Sequence, residues 1–232
     1  MTIEAFNLAE RYQCPVLISS DLYLSERNES MDGLDITNIP IERGEIVTDA
    51  NGGIYRRFLD TKTGVSPRAL PGTPGTVYVA ATDEHDQDGV LISDMFTNPP
   101  MRAKMMDKRM RKLEGILKEL PDPELEGPAE ADLTLVGWGS TYAVLRETME
   151  VLAKEGVAVN LVAPRYLWPF KGEVMRTLLE RAKVTLAVEG NYIGQLAKFI
   201  RMETGLAIQH HLHKYDGEPF EPRQVIDQAR TI

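Results

Sequence analysis

From residue 132 onward, short apolar runs alternate with amphipathic stretches, and this constrains the fold more than any other feature of the chain. "DLTLVGW" (132–138) reads as a strand, and "TYAVLRETMEVLAKEG" (141–156) reads as a helix closed by Gly156. "VAVNLV" (157–162), "VTLAVEG" (184–190) and "LAIQHHLHKY" (206–215) read as further strands. The stretches 171–183 and 191–205 between them carry helical spacing. Strand-helix alternation at this spacing predicts an α/β domain over 132–232, with a mostly parallel sheet and helices on its faces.

The preceding half is less regular. Phe6, Leu8, Ala9 and Tyr12 form a roughly helical stripe, and "CPVLISSD" (14–21) reads as a buried strand led by a proline. Residues 26–76 are rich in breakers, and "NGG" at 51–53 is a hairpin signal. "GTVYVAATDEHDQDG" (75–89) reads as a strand entering an acidic turn. A helix is expected over about 100–120, with Met106, Met110, Leu113 and Leu117 as its inward stripe. Its other face carries Arg102, Lys104, Lys108, Arg109, Arg111 and Lys112, read as a solvated basic face in preference to a dock for an acidic partner. Residues 26–120 are therefore loops, hairpins and a helix. The proline-rich, acidic stretch 121–131 reads as a linker.

Composition closes several routes. A net charge of -9 disfavours nucleic acid as a partner. No apolar run of membrane-spanning length and no secretory leader is visible, so a cytoplasmic location is the expectation. The single cysteine, Cys14, cannot ligate an iron–sulfur cluster, which takes about four thiolates.

Four places could carry chemistry. Gly137, Trp138, Gly139, Ser140 and Thr141 resemble the opening of a dinucleotide fingerprint, but Tyr142 stands where a third glycine belongs. No acidic residue closes the next strand, and no Walker A loop occurs. A tight turn remains, with Ser140 or Thr141 capping the helix and an anion at its N-terminus as the rival reading. Glu84, His85 and Asp86 alternate sides if extended and converge poorly on a metal. His211 and His213 share a strand face but show no further ligand. "TGVSPRALPGTPG" (63–75) is the best local candidate: its prolines stiffen it and its glycines allow close approach. Arg68 there carries a fork suited to an oxyanion. Ser66, Arg68 and His85 are the candidate residues, and no nucleophile motif accompanies them.

The order of several motifs resembles a known family. "YRRF", "TGVSPRALPG", "DEHDQDG" and "MMDKRMRKLE", followed by "VGWGST", "LWPF", "VEGNYIGQLAKFIR" and "KYDGEPFEP", resemble the C-terminal part of 2-oxoacid:ferredoxin oxidoreductase alpha subunits, the 2-oxoglutarate type especially. The resemblance implies that 1–25 is the tail of a pyrimidine-binding domain, and that 132–232 is a transketolase C-terminal-like domain serving in assembly. It further implies oxidative decarboxylation of a 2-oxoacid to acyl-CoA with ferredoxin reduction. Thiamine diphosphate, magnesium and iron–sulfur clusters would sit on partner chains and none on this one. Those partners would be the remaining alpha portion and a beta subunit, with ferredoxin and coenzyme A serving the complex. The family's Tyr-Pro-Ile-Thr-Pro, Arg-Gly-Gly-Pro-Ser-Thr-Gly and Gly-Asp-Gly motifs are absent, so the chain alone is expected to be inactive.

Overall fold

A computed structural model describes the chain except for residues 34, 36, 51, 81 and 94–96. It divides into two compact units, one of Met1–Ser19 with Met31–Glu119 and one of Ser20–Ser30 with Leu120–Ile232.

The second unit holds most of the buried apolar side chains. Its strands are β3 (Leu125–Glu126), β4 (Leu133–Val136), β5 (Val159–Val162), β6 (Thr185–Glu189) and β7 (His210–His213), ordered β3-β5-β4-β6-β7. All neighbours pair in parallel except the short edge strand β3, which runs antiparallel to β5. The central strands are buried along their whole length because both faces are covered, and they are mostly apolar, with Thr134, Asn160, Thr185 and Glu189 as the buried polar exceptions. Leu133, Leu135, Val159, Leu161, Leu186 and Val188 pack with α4 (Thr141–Lys154) and α7 (Pro222–Ala229). Val136, Val162 and Ala187 pack with α5 (Gly172–Glu180) and α6 (Gln195–Thr204). The mostly parallel α/β sheet expected from the alternation is the one observed. Two details differ. The stretch read as a linker supplies β3, and α7 was not foreseen. Pro222 starts α7 at a position that needs no amide hydrogen, Glu221 and Gln224 form a reciprocal capping box, and Val225 and Ile226 bury its inner face.

The second unit also takes in residues 20–30, which carry the short helix α2 (Leu22–Glu26).

In the first unit, α1 (Thr2–Tyr12) meets α3 (Pro99–Glu119) at Gly115, where a Cβ would lie 2.8 Å from the Tyr12 ring. The Tyr12 hydroxyl donates to Glu119 at 2.6 Å. The strand expected at 14–21 does not form: the stretch has no ladder partner among the described residues and leaves Leu17 90% exposed. The hairpin signal at 51–53 begins on Asn51, outside the described residues. β1 (Ile46–Val47), just before it, pairs in parallel with β2 (Arg68–Ala69) instead of with the segment after the turn. The strand expected from residue 75 is likewise absent among the described residues, and one bridge, His85 to Leu91, closes the acidic turn.

The largest correction concerns α3. Its inward face is Met105, Lys108 and Ile116, with Arg111 and Lys112 half-buried, whereas Met106 and Met110 face solvent. The buried stripe is turned by one residue, about 100°, from the one expected. The basic face is solvated only in part: Arg102, Lys104 and Arg109 are exposed, whereas Lys108, Arg111 and Lys112 turn inward. Arg109 grips Glu84 with two bonds of 2.8 and 2.7 Å, Arg111 pairs with Asp60, and Lys104 lies 3.6 Å from Asp60. No helix among the described residues is long and apolar enough to cross a membrane.

Candidate functional site

Open α/β sheets take ligands at the carboxyl ends of their strands, where the strand order reverses. Here the chain passes from β4 to β5 on one side and then crosses to β6 on the other. The crevice therefore lies between the turn after β4 and the loop after β6.

The first turn is 137–141. Gly137 is required because a Cβ there would overlap Leu145 Cδ1 and stand 2.8 Å from Thr141 Oγ1, so helix and strand meet closely. Thr141 Oγ1 accepts from the Trp138 amide at 3.1 Å and donates to the Trp138 carbonyl at 2.6 Å, closing the turn on itself. Neither Ser140 nor Thr141 caps α4 with its side chain, contrary to expectation. The cap comes from 119 residues earlier: Asp21 Oδ2 accepts the Ser140 amide at 2.8 Å, while Oδ1 accepts the Leu24 amide at 2.9 Å and caps α2. Burial alone raises the Asp21 pKa, but the backbone amides of Leu24 and Ser140 outweigh it and hold the carboxyl below its ordinary value.

The second loop is filled in the same way. Glu189, fully buried at the end of β6, accepts the Leu196 amide at 2.7 Å, the Ala197 amide at 3.0 Å and the Asn191 side chain at 2.9 Å. This carboxylate occupies the N-terminus of α6, where a phosphate would otherwise sit. Both anion positions of the crevice thus carry the chain's own carboxylates, so the structure does not favour an external anionic ligand at the 137–141 turn.

The three candidate residues of the first unit are each engaged. Ser66 is buried, and its hydroxyl donates to the Leu59 carbonyl at 2.8 Å. Arg68 pairs with Glu10 and donates to the Arg43 carbonyl at 3.0 Å, and its Nε is buried without a partner. The Arg68 contact, with that of Arg43, keeps the Glu10 carboxyl below its usual range. His85 lies against the Phe58 ring at 3.8 Å, with Nδ1 3.0 Å from the Asp86 carbonyl oxygen. In the acidic turn, Glu84 is held by Arg109, Asp88 by Arg56 at 2.7 Å, and Asp86 Oδ1 by the amides of Asp88 and Val90. The rings of His211 and His213 stand 5.6 Å apart. Among the described residues, no group of three or more metal-ligating side chains is arranged to hold an ion.

Comparison with known proteins adds what the geometry alone does not. The pyruvate:ferredoxin oxidoreductase core domain II profile matches residues 131–225. The chain is 36% identical over 235 residues to subunit alpha of 2-oxoacid:ferredoxin oxidoreductase 2 from Aeropyrum pernix, covering 99% of this chain and 36% of that one. It is 33% identical to the corresponding subunit alpha from Saccharolobus solfataricus, over 98% of this chain and 36% of that one. The structure superposes with a TM-score of 0.87 and 31% identity on a 2-oxoglutarate:ferredoxin oxidoreductase from Magnetococcus marinus, solved with 2-oxoglutarate, coenzyme A and succinyl-CoA bound, over 97% of this chain and 38% of that one. The chain spans about a third of the length of the curated relatives it matches.

Proposed function

We propose, from the premise that this chain belongs with the alpha subunits of the 2-oxoacid:ferredoxin oxidoreductases, that it works as part of such a subunit in a heteromeric enzyme. The reaction is oxidative decarboxylation of a 2-oxoacid, with the acyl group passed to coenzyme A and the electrons to ferredoxin. The substrate favoured is 2-oxoglutarate, the acid in the Magnetococcus enzyme. The observation carrying this reading is that superposition, which takes in both units.

The donor set of this chain does not fit the iron–sulfur clusters of the reaction: Cys14 is its one thiol, half-buried, with burial pushing its pKa up. Thiamine diphosphate, magnesium and the clusters belong to partner chains in this proposal. Residues 1–25 complete a pyrimidine-binding domain there, and the loop around Arg68 helps to close the active site. The five-stranded domain supplies assembly, a role supported by a crevice filled with the chain's own carboxylates. Apolar side chains left open in the first unit, among them Leu17, Ile41, Ile54, Val77 and Val79, fit a surface covered in a complex. A cytoplasmic location follows from this role.

The test is co-expression with the remaining alpha portion and the beta subunit. Co-elution is expected, with 2-oxoglutarate-dependent ferredoxin reduction that needs this chain. Turnover that survives its deletion would overturn the proposal.

A further inference from the structure

Burying an ammonium without an anion is costly, so a protein that does so repeatedly is holding positive charge for a purpose. On α3, Lys104, Lys108, Arg111 and Lys112 recur at i, i+4, i+7 and i+8 and share one face. This is the face over which residues 61–66 are laid, a segment that leads into the best sequence candidate. Gly64, at φ +78°, lies so close that a Cβ would overlap the Lys108 carbonyl oxygen and stand 3.3 Å from Arg111 Cβ. The Thr61 carbonyl accepts from Arg111 at 3.0 Å. Lys108 is only 5% exposed, and Arg57, from the start of the same loop, is half-buried with its guanidinium 5.7 Å from the Phe58 ring centre.

Against these cations, Asp60 is the carboxylate acting on Lys108 among the described residues, and it is already shared by Arg111 and Lys104. Other nearby acids are taken: Glu84 by Arg109 and Asp88 by Arg56. Lys112 spends one hydrogen bond on the Gln13 carbonyl, at 3.1 Å. Among the described residues, five cations thus face one carboxylate, in a chain whose net charge is -9. The shortfall registers on Lys108, whose pKa falls to about 8, through burial first and then through Lys112, Arg57 and Arg111. An oxyanion of charge near -2 matches this surplus better than a single carboxylate, and ammonium groups beside guanidinium forks are the usual donors to phosphate.

We infer that Arg57, Lys108, Arg111 and Lys112 form a binding site for a phosphate group beneath the 57–66 loop. The half-buried Arg57, Arg111 and Lys112 form its mouth and Lys108 its floor. The site does not depend on the function proposed above. The phosphate is either free or one arm of a larger ligand.

The test is calorimetric titration of the intact chain with inorganic pyrophosphate and, separately, with ADP, at ionic strength fixed by sodium chloride. Saturable one-to-one binding is expected, weakened about tenfold or more by Lys108→Met and by Arg57→Gln. Tighter binding of ADP than of pyrophosphate would mark the phosphate as part of a larger ligand, and the reverse would mark a free ion. Either order supports the site. Absence of saturation with both probes, or unchanged affinity in the variants, overturns it. Should Lys108→Met fail to fold, Arg57→Gln, at the mouth, decides alone.

Discussion

Removing the Asp21 carboxylate should open the N-terminus of α4 without touching α4 itself. Asp21 Oδ2 holds the Ser140 amide at 2.8 Å, and no side chain of the turn can replace it, since Thr141 Oγ1 is bound to Trp138 on both sides. A lost N-cap costs about 1 kcal/mol, and a lost charge at a helix N-terminus adds about 0.3–1 kcal/mol. Asp21 is exposed, so the lower half of that addition applies. For Asp21→Ala this gives roughly 1.3–1.7 kcal/mol at Ser140, or about ten- to fifteenfold faster amide exchange. Asp21→Asn keeps one acceptor oxygen and can serve only one of the two amides, so Ser140 and Leu24 should share an intermediate loss. The pH dependence has a fixed sign. The folded pKa lies below the ordinary 3.8, so the stabilisation is present above 3.8 and fades as pH falls through the lower folded value. Residue-resolved hydrogen exchange is the assay. Ser140 protection unchanged in Asp21→Ala, or protection lost already near pH 6, would refute the reasoning.

Lys108→Met should stabilise the chain at neutral pH by roughly 3 kcal/mol, because the folded state depresses the lysine from 10.5 to about 8. The unfolded chain keeps the proton longer, so wild-type stability should climb toward that of the variant between pH 8 and 10.5. Parallel urea curves that never converge across that window would contradict the burial of a charged Lys108. Glu189→Gln turns an amide toward the backbone donors of α6 and should cost about 2–3 kcal/mol, or roughly 5–10 °C by calorimetry. A shift below about 2 °C would mean that those donors find another partner. In the assembled enzyme, Arg68→Ala should lower kcat/KM about tenfold to a hundredfold as the 63–72 loop loses its tie to Glu10, with Arg68→Lys recovering part of the loss. Unchanged kinetics would leave Arg68 a structural tie alone.

The sheet was legible because β4, β5 and β6 are buried on both faces and so appear as short, mostly apolar runs, interrupted only at Thr134, Asn160, Thr185 and Glu189. α7 was hidden behind "YDGEPFEP", whose breakers suggest a loop although Pro222 is the residue that starts the helix. The orientation of α3 was misread because a count of apolar residues cannot show that a lysine points inward. Met106 and Met110 are apolar by type yet exposed, while Lys108 is charged yet buried. The run at 14–21 has the composition of a strand, but a strand needs a neighbour, and no ladder partner appears among the described residues. The turn after β4 lacks a dinucleotide fingerprint in its sequence, with Tyr142 at the third glycine's place. What fills the crevice was legible only in part: Glu189 closes a strand and sits close in sequence to the amides it binds, whereas nothing local to Ser140 points to Asp21.

The 119-residue span between Asp21 and Ser140 also has a consequence in time. A ribosome adds roughly 5–20 residues per second, so the carboxylate emerges about 6–24 s before the amide it must reach. Through that interval the segment with Leu22, Tyr23 and Leu24, largely exposed even when seated, has nowhere to dock. The turn after β4 in its turn can be secured only by a piece of chain made long before it. Its locking is a late, long-range step in biogenesis, and a nascent chain stalled before residue 140 would present the 20–30 segment to chaperones and proteases unguarded.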